Sequence, residues 1–174
     1  MQFWMTTAMA LALSTTQACS PVLDWREFEP EGSGVVVAFP CRPDHHARSV
    51  SIAGTPTQMD MVVCAAGDAT YALSFIDVAD PARVGAAIAD LRAVAAANLG
   101  SAAPEVSALQ VRGMTPNTQA ARLALAGQRP DGAPLQQQAA FFSKGLRVYQ
   151  ASVVGARLSA EATETFFASL KLPS

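Results

Sequence analysis

Apolar and polar positions along this chain change their period twice. Ser49, Val50, Ser51 and Ile52 alternate, the two-residue repeat of a half-buried strand, and Tyr71, Leu73 and Phe75 fall on one face of a second alternating run, "TYALSFIDV". Further strand-like runs are "WREFEP", "GVVVAFP" and "TPTQMDMVVCA", with turns at Glu31-Gly32-Ser33-Gly34 and Gly67-Asp68. The period then becomes helical. In "DPARVGAAIADLRAVAAANLG", Val84, Ile88, Leu91 and Ala95 form one stripe, Asp80 is suited to cap the start, Pro81 to occupy the first helical position, and Gly100 to end it. Strand-like runs return in "PEVSALQVRG", "TQAARLALAG", "APLQQQAAFFS" and "LRVYQASVVG". Ser159 opens a closing helix, "AEATETFFASLK", anchored by Phe166, Phe167 and Leu170. Strands, a crossover helix, more hairpins and a final helix predict an α+β fold, a mainly antiparallel sheet flanked by helices.

Alternation also places Phe141 and Phe142 on opposite sides of their strand. Each then needs a cover, or it becomes an exposed contact for a partner. "LQQQAA", residues 135–140, offers a polar strand segment suited to solvent or to hydrogen bonding with another protein.

The first nineteen residues read differently from the rest. "MQFWMTTAMALALSTTQAC" sets a short apolar run before small and polar residues, the layout of an export signal, and Ala18 is a small residue suited to the position before a cut. "TTQAC" resembles the lipobox of bacterial lipoproteins, which implies cleavage after residue 18 and lipid on Cys19. Ordinary secretory cleavage, leaving a free thiol, is the other reading. The expected organisation is a signal peptide over 1–18, a lipid anchor and short tether over 19–24, and one domain over 25–174. Ser20 resembles the residues that permit passage to an outer membrane, so the protein is expected to face the periplasm from a membrane anchor.

Composition narrows the partners. The 174 residues are 51% hydrophobic and 15% charged with a net charge of −2, so no basic nucleic-acid-binding face is expected. Three cysteines in an exported chain call for an account of the odd one. Lipid on Cys19 supplies it and leaves Cys41 and Cys64 as a disulfide pair at the ends of neighbouring strands; two free buried thiols are the alternative.

"WREFEPEGSGVVVAFPCRP", with the closing "FFASLKL", resembles the opening and ending of small exported bacterial proteins of the Mog1/PsbP-like kind. The elements that carry it are Trp25, Glu31-Gly32, the run from Val35 to Pro43, and Phe166 to Leu172. The resemblance implies a Mog1/PsbP-like α/β sandwich used as a binding or assembly scaffold, with no catalytic residues to carry over, and a fold alone does not set a function. Cys41 stands where that family has a small residue, which fits an added disulfide.

Candidate chemistry centres on "CRPDHH". His45 and His46, with Met59 and Met61 sharing a strand face, are the ligand types a copper or zinc handler uses. Against that reading, adjacent histidines on an extended segment point apart, and "RPDHH" is expected as a solvated turn with the methionines in the core. No nucleophile motif, phosphate-binding loop or facing pair of carboxylates is legible. The expectation is a non-catalytic envelope module without a cofactor, bound to the membrane by its lipid and to an envelope protein; periplasmic metal handling is the alternative.

Overall fold

The computed structural model describes residues 22–101 and 103–173. Nine strands are formed there: β1 (Arg26–Phe28), β2 (Val37–Phe39), β3 (Asp44–Ile52), β4 (Thr55–Ala66), β5 (Ala69–Asp77), β6 (Glu105–Ser107), β7 (Ala121–Gln128), β8 (Pro134–Lys144) and β9 (Arg147–Gly155). Two α-helices accompany them, α1 (Val84–Leu99) and α2 (Ala160–Ala168). Strands β1 and β2 pair as a small ribbon, and the other seven form one antiparallel sheet in the order β3-β4-β5-β9-β8-β7-β6. Two meanders, β3 to β5 and β6 to β9, are therefore joined side by side at β5 and β9, with α1 carrying the chain between them. The fold is α+β, as the alternating and helical runs predict.

Both faces of the large sheet are covered. On one, the stripe Val84, Ile88, Leu91 and Ala95 of α1 packs over Met59, Ile76, Phe141 and Val148. On the other, the β1–β2 ribbon and α2 bring Val37, Phe39 and Phe166 onto Leu73, Phe142 and Tyr149. Phe141 and Phe142 accordingly enter different cores, and each is fully buried. Rings interlock in the second core, where Phe142 stacks on Tyr149 with centroids 5.0 Å apart and Phe39 meets Phe166 edge-on at 5.5 Å.

Helix termini follow the expected chemistry. Asp80 caps a short 3-10 turn over Pro81–Arg83 by accepting from Ala82 N at 2.9 Å, and α1 continues from it. Gly100, at φ +63°, closes α1 by donating to the Ala96 and Ala97 carbonyls. Ser159 caps α2, its hydroxyl accepting from Ala162 N at 3.3 Å.

Three sequence expectations are corrected. "RPDHH" is no turn: β3 begins at Asp44 and runs through both histidines, which pair with Val62 and Met61 of β4. Residues 44–49 are exposed on both faces because this edge strand extends past the covering elements, so the alternation that marks Val50 and Ile52 is missing there. "PEVSALQVRG" yields only a three-residue strand, because the chain leaves β7 after Ser107, sends Val111 into the second core and turns at Gly113 (φ +83°). "GVVVAFP" ladders with β1 over three residues only, while Val36 exchanges backbone hydrogen bonds with Lys171 at 2.9 and 3.0 Å.

Candidate functional site

The cysteines of the second core come together. Cys41 follows Phe39-Pro40 out of the ribbon, Cys64 lies in β4 opposite Tyr71, and the pair sits at disulfide distance with Cα atoms 5.9 Å apart across a separation of 23 residues. The bond ties the exit of the ribbon to the sheet it covers. Cys19 lies outside the described residues, as do the signal segment and the start of the tether. Asp24 N donates to the Pro40 carbonyl at 2.9 Å, so the chain entering the domain is bound beside the same cysteine. Val22 approaches the β4–β5 turn at Gly67.

The histidines and methionines divide between the two faces of the sheet. His45 shares the ribbon side with Asp60, whose Oδ1 lies 3.2 Å from His45 Nε2. His46 pairs with Met61 on the α1 side, and Met59, two residues away on that side, is buried in the α1 core. The four candidate ligands therefore do not converge on one point. Among the described residues, no group of three or more His, Cys, Asp or Glu side chains is placed to hold a metal ion.

His45 and Asp60 do line a cleft of about 510 Å3 whose other polar walls are Glu31, Asp77 and Arg147. It forms where the Glu31–Gly34 loop leaves β3, β4 and β5 uncovered. Asp77 and Arg147 face each other across β5 and β9. Arg147 Nε and Nη2 bond the two Asp77 carboxylate oxygens at 2.7 and 2.5 Å, Nη1 donates to the Gly32 carbonyl, and the guanidinium lies 5.5 Å from the Phe75 ring centroid. The Asp77 hydrogen bond raises the Arg147 pKa above its ordinary value. Below it the Tyr149 hydroxyl donates to the Ser33 carbonyl at 2.8 Å, and burial raises the tyrosine's pKa. These bonds pin the Gly32–Ser33 segment onto the sheet. Arg147 is thus committed on every side and acts as a clamp. Among the described residues, no serine, threonine or cysteine lines the cleft beside the solvent-facing His45–Asp60 pair as a nucleophile.

Sequence reasoning missed Asp77, Arg147 and Tyr149. Their only local signal is the i, i+2 spacing of Arg147 and Tyr149, which puts them on one strand face. Their meeting with Asp77 and Ser33 needs the β5–β9 pairing, which no local pattern reveals.

No family model matches the chain, and no curated protein matches it. Among solved structures, a chain from Bacteroides thetaiotaomicron VPI-5482 is similar to it, aligning at 10% identity with a TM-score of 0.48 over 85% of this chain and 48% of that one. This chain spans about half the length of that protein.

Proposed function

We propose that this is an exported protein, anchored by lipid on Cys19, whose domain over residues 25–174 is a Mog1/PsbP-like module that binds or assembles with another cell-envelope protein and catalyses no reaction. The observation that carries the reading is the placement of Cys41 and Cys64. A disulfide between them suits an oxidising compartment and leaves Cys19, beside a small residue and an apolar leader, as the odd cysteine. A sheet with helices on both faces agrees with the Mog1/PsbP-like resemblance. Asp24 is already bonded to Pro40, so only residues 20–23 separate a lipid on Cys19 from the folded chain. The β4–β5 turn and the disulfide would then face the membrane.

Intact-mass analysis of the full chain extracted from its own membranes tests this, paired with crosslinking in those membranes. A diacylglyceryl increment on a chain beginning at Cys19, a two-hydrogen deficit for one disulfide, and a stoichiometric envelope partner are expected. An unmodified chain recovered from the soluble fraction removes the anchor, and absence of any crosslinked partner removes the module.

A further inference from the structure

The two edges of the large sheet are unlike. At one, β6 is three residues long; at the other, β3 runs for nine. Exposed edges are commonly protected by shortness, lysines, prolines or bulges. β3 has none of these: it pairs with β4 without interruption from Asp44 to Ile52 and contains neither proline nor lysine. Its residues 44–49 are exposed on both faces.

The hairpin turn fixes which backbone groups face outward. Ala53 and Gly54, both at positive φ, form a two-residue turn, which makes Ile52 and Thr55 a hydrogen-bonded pair. Counting back from Ile52, alternate residues Val50, Arg48, His46 and Asp44 turn their N–H and C=O toward β4, and His45, Ala47, Ser49 and Ser51 turn theirs outward. Among the described residues no strand pairs with β3 on that outward side.

Side-chain charge adds a pattern to this open edge. Asp44, His46 and Arg48 share the α1 side of the strand. Asp44 and Arg48 stand about 13 Å apart along it, too far to reach each other. Among the described residues neither makes an ion pair.

We infer that two copies of this chain pair antiparallel through β3 about a two-fold axis at His46, joining their sheets into one. In this register His45 of one copy and Ala47 of the other exchange backbone hydrogen bonds, and Asp44 of each copy stands directly opposite Arg48 of the other. The neighbouring registers lose that match. An axis at Ala47 sets Arg48 against His46, and an axis at Arg48 sets the two arginines together. The axis is normal to the sheet, so both copies turn the ribbon side, against which Leu23 and Trp25 pack, in one direction, and two tethers can reach one membrane. The pairing requires neither the lipid nor an envelope partner, so it stands or falls apart from the function proposed above.

Oxidative cross-linking of the full chain in intact cells tests the register. His46→Cys should give a dimer linked from position 46 to position 46, because opposed residues of a pair without mutual backbone hydrogen bonds lie at disulfide distance. Ser51→Cys, exposed on the same edge but distant from the axis, should give almost none. Added to His46→Cys, Asp44→Arg should depress the link, and Asp44→Arg with Arg48→Asp should restore it. Sedimentation of the full chain in detergent should show a monomer–dimer equilibrium whose dissociation constant rises about tenfold in Asp44→Arg, since two attractions become repulsions, and recovers in the double variant. A chain that stays monomeric at every concentration, equal linking at positions 46 and 51, or a double variant as weak as the single each overturns the inference. So does a dimer indifferent to every charge reversal, which would use another surface.

Discussion

Asp77 and Arg147, 70 residues apart in sequence, stand directly opposite each other on β5 and β9 and share two hydrogen bonds at the seam where the two meanders meet. The guanidinium also holds the Gly32 carbonyl, so one side chain joins both halves of the sheet to the loop that precedes β2.

Arg147→Met keeps the aliphatic stem and removes every one of these bonds. A loss of about 1 to 3 kcal/mol is expected in urea unfolding, because hydrogen bonds to a charged group are worth more than neutral ones and the Gly32 carbonyl loses its donor. Arg147→Lys should recover only part, since a single ammonium cannot bond both carboxylate oxygens and the loop together. Equal stability of all three proteins would show that the clamp contributes nothing.

The disulfide joins cysteines 23 positions apart in sequence, which in the chain-entropy model corresponds to about 3 kcal/mol of stabilisation. Cys41→Ala with Cys64→Ala, made together so that no buried thiol or hydroxyl is stranded, should lower the unfolding free energy by about that amount. Reduction of the unaltered protein should lower it similarly. A reducing agent that leaves the urea midpoint unchanged would argue against the bond.

Glu164 lies on α2 with its carboxylate against Arg122, whose hydrogen bonds lower the acid's pKa below the usual glutamate value. A depressed carboxylate pKa stabilises the fold above the unfolded-state value, and that contribution is lost as pH falls through the folded value. The side chain is 63% exposed, so the stabilisation should be no more than about 1 kcal/mol. Glu164→Gln should therefore unfold slightly more easily than the unaltered chain at pH 7, and the two should converge in acid. A constant difference across that range would mean that the pair does not set the acid response.

Much of the fold is legible in local pattern, and the reasons it stops are particular. Val84, Ile88, Leu91 and Ala95 announce α1 because a helix covering one sheet face needs one apolar stripe. Phe141 and Phe142 announce two covered faces because adjacent strand residues point apart. His45 and His46 mislead because β3 is an edge strand extending beyond its cover, where polar residues occupy both faces and no alternation survives. The Asp77–Arg147 clamp depends on pairing across 70 residues. "LQQQAA" marks a polar strand segment, but nothing local says that Gln138 accepts from Arg122 or Gln136 from Leu158 N.

The β3–β4 hairpin turns through Ala53 at φ +47° and Gly54 at φ +76°. An alanine in the left-handed region carries a steric penalty that glycine or asparagine largely avoids. Ala53 is held there from outside: its N–H donates to Asp90 Oδ2 at 2.9 Å and its carbonyl accepts from Arg83 at 2.9 Å. Ala53→Asn, in the sequence Asn-Gly favoured by two-residue hairpins, should raise stability by about 0.5 to 1 kcal/mol with no change in the sheet. A thermal midpoint at or below that of the unaltered protein would show that the Asp90 and Arg83 contacts already offset the strain.

Two glycines separate crowding from conformation. A Cβ on Gly127 of β7 would lie 1.8 Å from the Leu99 carbonyl oxygen, so the last turn of α1 has to move for any side chain to fit. Gly132, in the β7–β8 turn at φ +83°, has open space around the same position and only its backbone conformation to lose. Gly127→Ala should therefore cost about 2 to 4 kcal/mol through displacement of the helix end, and Gly132→Ala about 1 to 2 kcal/mol through backbone strain alone. Hydrogen exchange distinguishes the causes: Gly127→Ala should speed exchange in the last turn of α1, around Leu99 and Gly100, whereas Gly132→Ala should leave that turn unchanged. Equal costs with unchanged exchange at α1 would mean that the helix does not rest on Gly127.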